Sequence, residues 1–158
     1  MHLLDHYRTA ELSDAVYLAS NMRDADREEL RLAHGSADDD EIYEILKSGI
    51  ERSVEANTII ADDLPAAIFG VAERADGAGT PWLLATDAID NFSRSQKLFF
   101  LRRSLAWVES IQPNYPDLTN SVYSRNTSAV EWLRWMQFDL GDTVDVNGYP
   151  FHVFHRYR

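Results

Sequence analysis

Apolar positions first fall into register at Ala15, Leu18, Ala19 and Met22, whose spacing predicts a helix, with Ser13 and Asp14 placed to start its first turn. Gly35 reads as the stop of this helical region, and residues 3–8 before it read as a short strand. Asp38, Asp39, Asp40 and Glu41 then precede Ile42, Ile45, Leu46, Ile50 and Val54. Acidic side chains in a first turn complement the helix dipole, so this run marks a second helix start. A metal site is the lesser reading, because hard cations need several oxygen ligands and no second cluster accompanies the run.

After Asn57 the pattern changes. Residues 58–61 are β-rich, 62–65 form a turn signal and 66–72 are a second apolar run, which together predict a β-hairpin. A loop with Gly77, Gly79 and Pro81 leads into a third strand over 82–86. A long helix is expected from about 95 to 110, with Leu98, Leu101, Leu105 and Val108 on one face and Pro113 and Pro116 ending it. A strand over 118–123, a helix over 127–136 and a closing hairpin, 138–146 with 149–155 about Asn147-Gly148, complete the chain. The order is strand, two helices, three strands, helix, strand, helix, two strands, which is a mixed α/β fold.

Composition narrows this. The 158 residues suit one domain spanning 1–158, and 45% apolar with 11% aromatic content supplies a core. No apolar run approaches the ~20 residues of a membrane span, and no charged-then-apolar stretch opens the chain, so no membrane association is expected. Cysteine is absent, which excludes disulfides, thiolate catalysis and cysteine-based zinc sites. With a formal net charge of −11, the chain is not expected to bind nucleic acid directly, since phosphate backbones are gripped by lysine and arginine.

Familiar catalytic patterns are missing. His2, His6, His34, His152 and His155 form no zinc motif, and the last two sit three apart in a predicted strand, on opposite faces. There is no nucleophile elbow and no phosphate-loop Gly-Lys-Ser/Thr, and Gly77-Ala78-Gly79 is only a turn signal. Trp132 and Met136 read as core, with Trp135 partly exposed and a candidate interface residue.

Three local patterns carry a resemblance. Arg8-Thr9-Ala10 is followed by Asp14-Ala15; Gly70 marks the second strand of the middle hairpin; and Asn126 is followed by Ala129, Val130, Trp132, Leu133 and then Gln137-Phe138. In this order the chain resembles the GCN5-related N-acetyltransferase (GNAT) superfamily over nearly its whole length. That implies an acyl-CoA N-acyltransferase-like fold, a largely antiparallel sheet flanked by helices. The stretches 18–26, 81–86 and 120–126 also look like a family of tailed-bacteriophage internal virion or virion morphogenesis proteins of the same fold. This narrower resemblance implies a role in virion assembly, other phage virion or assembly proteins as partners, and a location in the host bacterial cytoplasm or the virion interior.

The superfamily resemblance also implies chemistry that the residues here only partly supply. Its phosphate-binding pattern, Arg/Gln-x-x-Gly-x-Gly/Ala at the start of the central helix, falls on residues 87–96, which contain no glycine. Side chains there would crowd a pyrophosphate, and Asp87 and Asp90 would repel it. Ser93, Arg94, Ser95 and Lys97 offer partial substitutes, or simply start and solvate a helix. The tyrosine that protonates the departing thiolate in many members corresponds to Leu133, which transfers no proton. The Gly-Phe after it is Gln137-Phe138. Tyr123 is an alternative acid, though its plainer role is to fill the sheet face, and Glu73 is one of several candidate bases. The expectation is therefore a non-catalytic, GNAT-like assembly protein without a cofactor, the alternative being an acetyl-CoA-dependent N-acetyltransferase with a divergent phosphate loop. If acyl-CoA binds, Thr86, Ser93, Arg94 and Asn126 are expected to line its cleft, Asn126 having helix capping as its plainer task.

Overall fold

The computed structural model describes residues 7–158, so residues 3–6 of the expected first strand, with His2 and His6, lie outside the described residues. Strand β1 (Tyr7–Thr9) is followed by helices α1 (Leu12–Asn21), α2 (Asp24–His34) and α3 (Asp39–Arg52). Then come β2 (Ser53–Ala61), β3 (Leu64–Glu73), β4 (Gly79–Ala85), α4 (Arg94–Ile111), β5 (Asp117–Tyr123), α5 (Thr127–Trp135), β6 (Asp139–Val146) and β7 (Tyr149–Tyr157). The strands form one mixed sheet in the order β1-β2-β3-β4-β5-β7-β6. Every neighbouring pair is antiparallel except β4 and β5.

Helices α1 and α3 pack on one face through Leu18, Ile42 and Leu46 against Ile68, Trp82 and Leu84. Helices α4 and α5 pack on the other through Val108, Ile111, Val130 and Leu133 against Val71, Leu118 and Val122. The β2–β3 and β6–β7 hairpins turn on residues that tolerate left-handed backbone. Asp62 (φ 51°) and Asp63 (φ 63°) join β2 to β3, and Asn147 (φ 52°) and Gly148 (φ 88°) join β6 to β7, as two-residue turns between twisted strands require.

Where the expected helical region runs from 13 to 35, the structure has two helices. The backbone extends at Met22 (ψ 139°), which bridges to Thr86, and the Arg23 amide donates to the Ala85 carbonyl at 2.9 Å. These bonds to β4 compete with continuing the helix. Gly35 does close α2, in left-handed conformation (φ 89°) with its amide on the Arg31 carbonyl. Asp38 accepts from the Glu41 amide at 2.8 Å, so the acid run is a helix start as its charge pattern indicates. Val54 leaves the helix expected to hold it and enters β2. In α4 the buried residues are Phe100, Val108 and Ile111, while Leu98 and Phe99 are exposed. The face is turned by aromatic packing: Phe100 stacks on Trp132, with centroids 5.4 Å apart and planes at 17°, and meets Phe92 edge-on.

The middle hairpin has no room for a side chain at Gly70. A Cβ there would lie 2.5 Å from the Glu55 carbonyl oxygen and 3.2 Å from both the Ala56 Cα and the Trp82 indole nitrogen. Gly70→Ala is expected to destabilise the protein by about 1–3 kcal/mol, the range for overpacking a close contact, read as a lowered urea midpoint at unchanged m-value.

The Arg8…Asp14 pattern is a junction around a buried carboxylate. Arg8 donates to both Asp14 carboxylate oxygens at 2.8 Å, and the Thr58 hydroxyl (2.7 Å) and the Glu11 amide (2.9 Å) donate to the same carboxylate. One side chain thus joins β1, the start of α1 and β2.

Candidate active site where β4 and β5 diverge

Parallel strands β4 and β5 share a single register pair, Gly79 with Leu118, and separate beyond it. The apex is close-packed. A Cβ on Gly79 would meet Leu118 and Tyr115 side-chain atoms at 2.9 Å. Just past it, the Asn120 side-chain amide donates to the Pro81 carbonyl at 2.9 Å, spanning a gap the backbones no longer close. Just past β4 the Thr86 amide bonds Ala66 on β3, whereas the Ala85 amide and carbonyl and the Pro81 carbonyl of β4 face away from β3. By the alternation of an antiparallel ladder, Leu83 directs its amide and carbonyl the same way, into the wedge.

Helix α2 crosses the open end. Asp26 Oδ2 accepts from the Ala85 amide of β4 at 2.9 Å, and Glu29 Oε1 accepts from the Tyr123 amide of β5 at 2.7 Å. Three residues apart, the two carboxylates share one helix face. Buried strand amides must find partners, and the diverging strands no longer supply them to each other, so α2 does.

Behind these carboxylates lies a cavity of about 840 Å³. Its lining comes from both faces of the sheet, with Ile45, Trp82 and Leu84 on one side and Phe100, Trp132 and Leu133 on the other; Arg23, Asp26, Glu29, Asp90 and Asn126 line it as well, as do Lys97 and Arg103 of α4. Burial pushes the Asp26 carboxyl up to about 7; Arg23 and the Ala85 amide oppose this, while Glu29 and Asp90 add to it. Burial also raises Glu29, against the Tyr123 amide, the Asn126 side chain and Arg23. Arg23 is the counter-charge. Its Nη2 donates to the Ser128 hydroxyl at 3.0 Å, and its Nε lies 3.9 Å from Asp26 Oδ1 and 3.6 Å from Asp90 Oδ2. Arg23 Nε and Trp132 Nε1 are buried and have no hydrogen-bond partner among the described residues.

The expected site residues divide by position. Asn126 is buried on the cavity wall at the N-cap of α5, but its side chain makes no capping bond. Instead the Ser128 hydroxyl donates to it at 3.4 Å, and it faces Glu29. Thr86 is buried, its hydroxyl taken up by the Ala88 amide and the Ala66 carbonyl. Ser93 caps α4 in a reciprocal box with Gln96, and exposed Arg94 opens that helix. Leu133 lies in the cavity wall. Gln137 adopts the left-handed φ of 71° that a glycine would take, so the turn keeps its path without the glycine. Tyr123 packs with Leu32 and Phe151 on the α2 side and is not among the lining residues. Glu73 is exposed and pairs with Gly79 at the apex, about 20 Å along the strand from the open end.

Arg23, Asp26 and Glu29 have no site role in the sequence-based reading. No chemical motif marks residues 24–29, and no spacing rule reveals that two of their carboxylates meet strands 59 and 94 residues away. Among the described residues there is no group of three or more side chains able to hold a metal ion, and no helix long and apolar enough to cross a membrane.

No family model matches the sequence, and no curated protein matches it. Solved structures do match. The chain is similar to AAC(6')-Ib in complex with ribostamycin and coenzyme A, with a TM-score of 0.70 and 15% identity over 96% of this chain and 92% of that one. A ribosomal-protein-alanine N-acetyltransferase from Brucella melitensis aligns with a TM-score of 0.69 and 10% identity over 97% and 99% of the two chains. A GNAT-family acetyltransferase from Bacillus anthracis gives a TM-score of 0.69 and 7% identity over 96% and 93%. The fold is therefore that of the GNAT acyl-CoA N-acyltransferases. The narrower likeness to phage virion proteins finds no support in these comparisons. The expectation of no cofactor is also corrected, because AAC(6')-Ib structures that match this fold hold coenzyme A or acetyl-CoA. That expectation rests on the phage-protein likeness, the glycine-free residues 87–96 and Leu133 in place of a proton donor.

Proposed function

We propose that this protein is an acyl-CoA-dependent N-acyltransferase, moving an acyl group, acetyl in the simplest case, onto an amine. The observation that carries this reading is the wedge between β4 and β5, whose backbones pair at Gly79 and Leu118 and then separate, opening into a large cavity. When bound, acyl-CoA supplies an activated acyl carbonyl. The unpaired edge of β4 at Leu83 offers an amide and a carbonyl to the cofactor's own amides, and the Trp132 indole N–H adds an unspent donor in the cavity wall.

The phosphate end relies on side chains. Lys97 and Arg103 line the cavity, and Arg94 begins α4 beside its first-turn amides. The repulsion expected from Asp90 is reduced by Arg23, 3.6 Å from its carboxylate. Leu133 supplies no proton, so a departing thiolate must take one from elsewhere in the cavity.

The test is thermal unfolding with and without acetyl-CoA, followed by acetyl transfer to amines read as thiol release. The chain has no cysteine, so the thiol signal carries no protein background. Ligand at 100 times its Kd stabilises the folded state by about 2.7 kcal/mol, which at this size raises Tm by roughly 5–10 °C. An unchanged Tm at millimolar acetyl-CoA sinks the reading.

A further inference from the structure

We propose that Asp26 and Glu29 form the acceptor subsite, in which Asp26 Oδ1 receives the ammonium group of the incoming amine and takes its proton while Glu29 holds the cation from the other side. This rests on the transferase reading above and assigns the residues that would meet its second substrate.

The geometry argues for it in three ways. Each carboxylate uses one oxygen on a strand amide, Asp26 on β4 and Glu29 on β5, so both are held by rigid elements; Asn126 also meets Glu29, whereas Asp26 Oδ1 takes no hydrogen bond among the described residues. Both line the cavity between the diverging strands. And the cation already present does not bond Asp26: Arg23 Nε stays 3.9 Å from Asp26 Oδ1, beyond hydrogen-bond reach, and is itself buried without a partner among the described residues. A donor placed between the strands completes what Arg23 leaves open. Lys97 and Arg103 of α4 line the cavity too, so the same space offers cations for an anionic ligand and carboxylates for a cationic one.

The charge state agrees. Burial holds the Asp26 carboxyl near 7 in the free site, and an ammonium bound beside it favours the ionised form that can accept a proton. The groups facing the pair are Arg23 at the N-cap of α2, Asp90 of the loop after β4, the Tyr123 amide of β5, and Asn126 and Ser128 at the start of α5. In the reaction the nitrogen sheds two protons, forms the C–N bond and displaces the C–S bond. The first proton goes to Asp26 and the second to the departing sulfur, which leaves with the bonding electron pair.

The experiment is a carboxyl-carbon NMR titration of the full chain with butylamine as probe and equal ionic strength as control, Asp26 being identified by the signal lost in Asp26→Asn. The Asp26 midpoint, near 7 without probe, is expected to fall by about 1–3 pH units as the ammonium binds beside it. Asp26→Asn should weaken butylamine binding at least about tenfold, and Glu29→Gln, which keeps its acceptor for the Tyr123 amide, should weaken it to a lesser degree. A midpoint that butylamine leaves unmoved, or equal butylamine affinity in native and Asp26→Asn chains, overturns the subsite. If butylamine moves the midpoint while acetyl-CoA leaves Tm unchanged, the amine subsite stands and the transferase reading falls.

Discussion

Asp26→Asn is expected to abolish most of the loss of stability that the native protein suffers between about pH 4 and pH 7. The sign follows from burial. An unfolded aspartate titrates near 3.9, whereas folding raises Asp26 to about 7. Between these values the folded state holds a proton that the unfolded chain has released, so stability falls as pH rises through the window. About three units at 1.36 kcal/mol each give roughly 4 kcal/mol between pH 4 and pH 8. Asparagine keeps a carbonyl oxygen for the Ala85 amide and carries no charge to desolvate. Urea unfolding at pH 5 and pH 8 checks this. The native midpoint should drop markedly at pH 8, and the variant's should drop much less, keeping only the same-signed contribution of raised Glu29. Equal drops in the two proteins would mean that Asp26 ionises freely in the fold. A residue that destabilises the protein at neutral pH yet is held by a rigid strand is what a functional carboxyl looks like in energetic terms.

Much of the fold was legible because local chemistry and final structure agree. Asn147-Gly148 turns where such a dipeptide turns, Asp38 caps where an acid run predicts a helix start, and Ser93 begins α4. The break at Met22 was not legible, because nothing near it in sequence announces bonds to Ala85 and Thr86. The exposed side of α4 was misjudged for a related reason: leucine spacing favours one face, but Phe100 finds Trp132 across the cavity. The site divides similarly. Leu133 and Asn126, which the resemblance singles out, line the cavity. The carboxylates that cross the wedge belong to no motif, and only the divergence of β4 from β5 creates the unpaired amides that draw them in.

Asp14→Ala should cost about 3 kcal/mol and lower Tm by about 6–12 °C, since one substitution strands several groups at once. The fully buried Thr58 hydroxyl and the Glu11 amide lose their acceptor, and Arg8 keeps only the Thr9 carbonyl. Asp14→Asn retains an oxygen for the first two and should cost less, so the pair of variants separates the hydrogen bonds from the charge. The pH dependence runs opposite to that of Asp26. Burial raises Asp14, but the Arg8 pair, with Thr58 and Glu11, outweighs it and holds the carboxyl below its usual value. Its stabilisation is thus present above the unfolded value near 3.9 and lost as pH falls through the lower folded value. A native acid limb that persists unchanged in Asp14→Ala would show that this junction does not anchor the fold. The site has a stake in the result, because α1 runs from this junction to Met22 and Arg23, whose bonds to Thr86 and Ala85 position α2. Loosening Asp14 should therefore also broaden the titration of Asp26, at the opposite end of α1, which the same carboxyl NMR experiment reads.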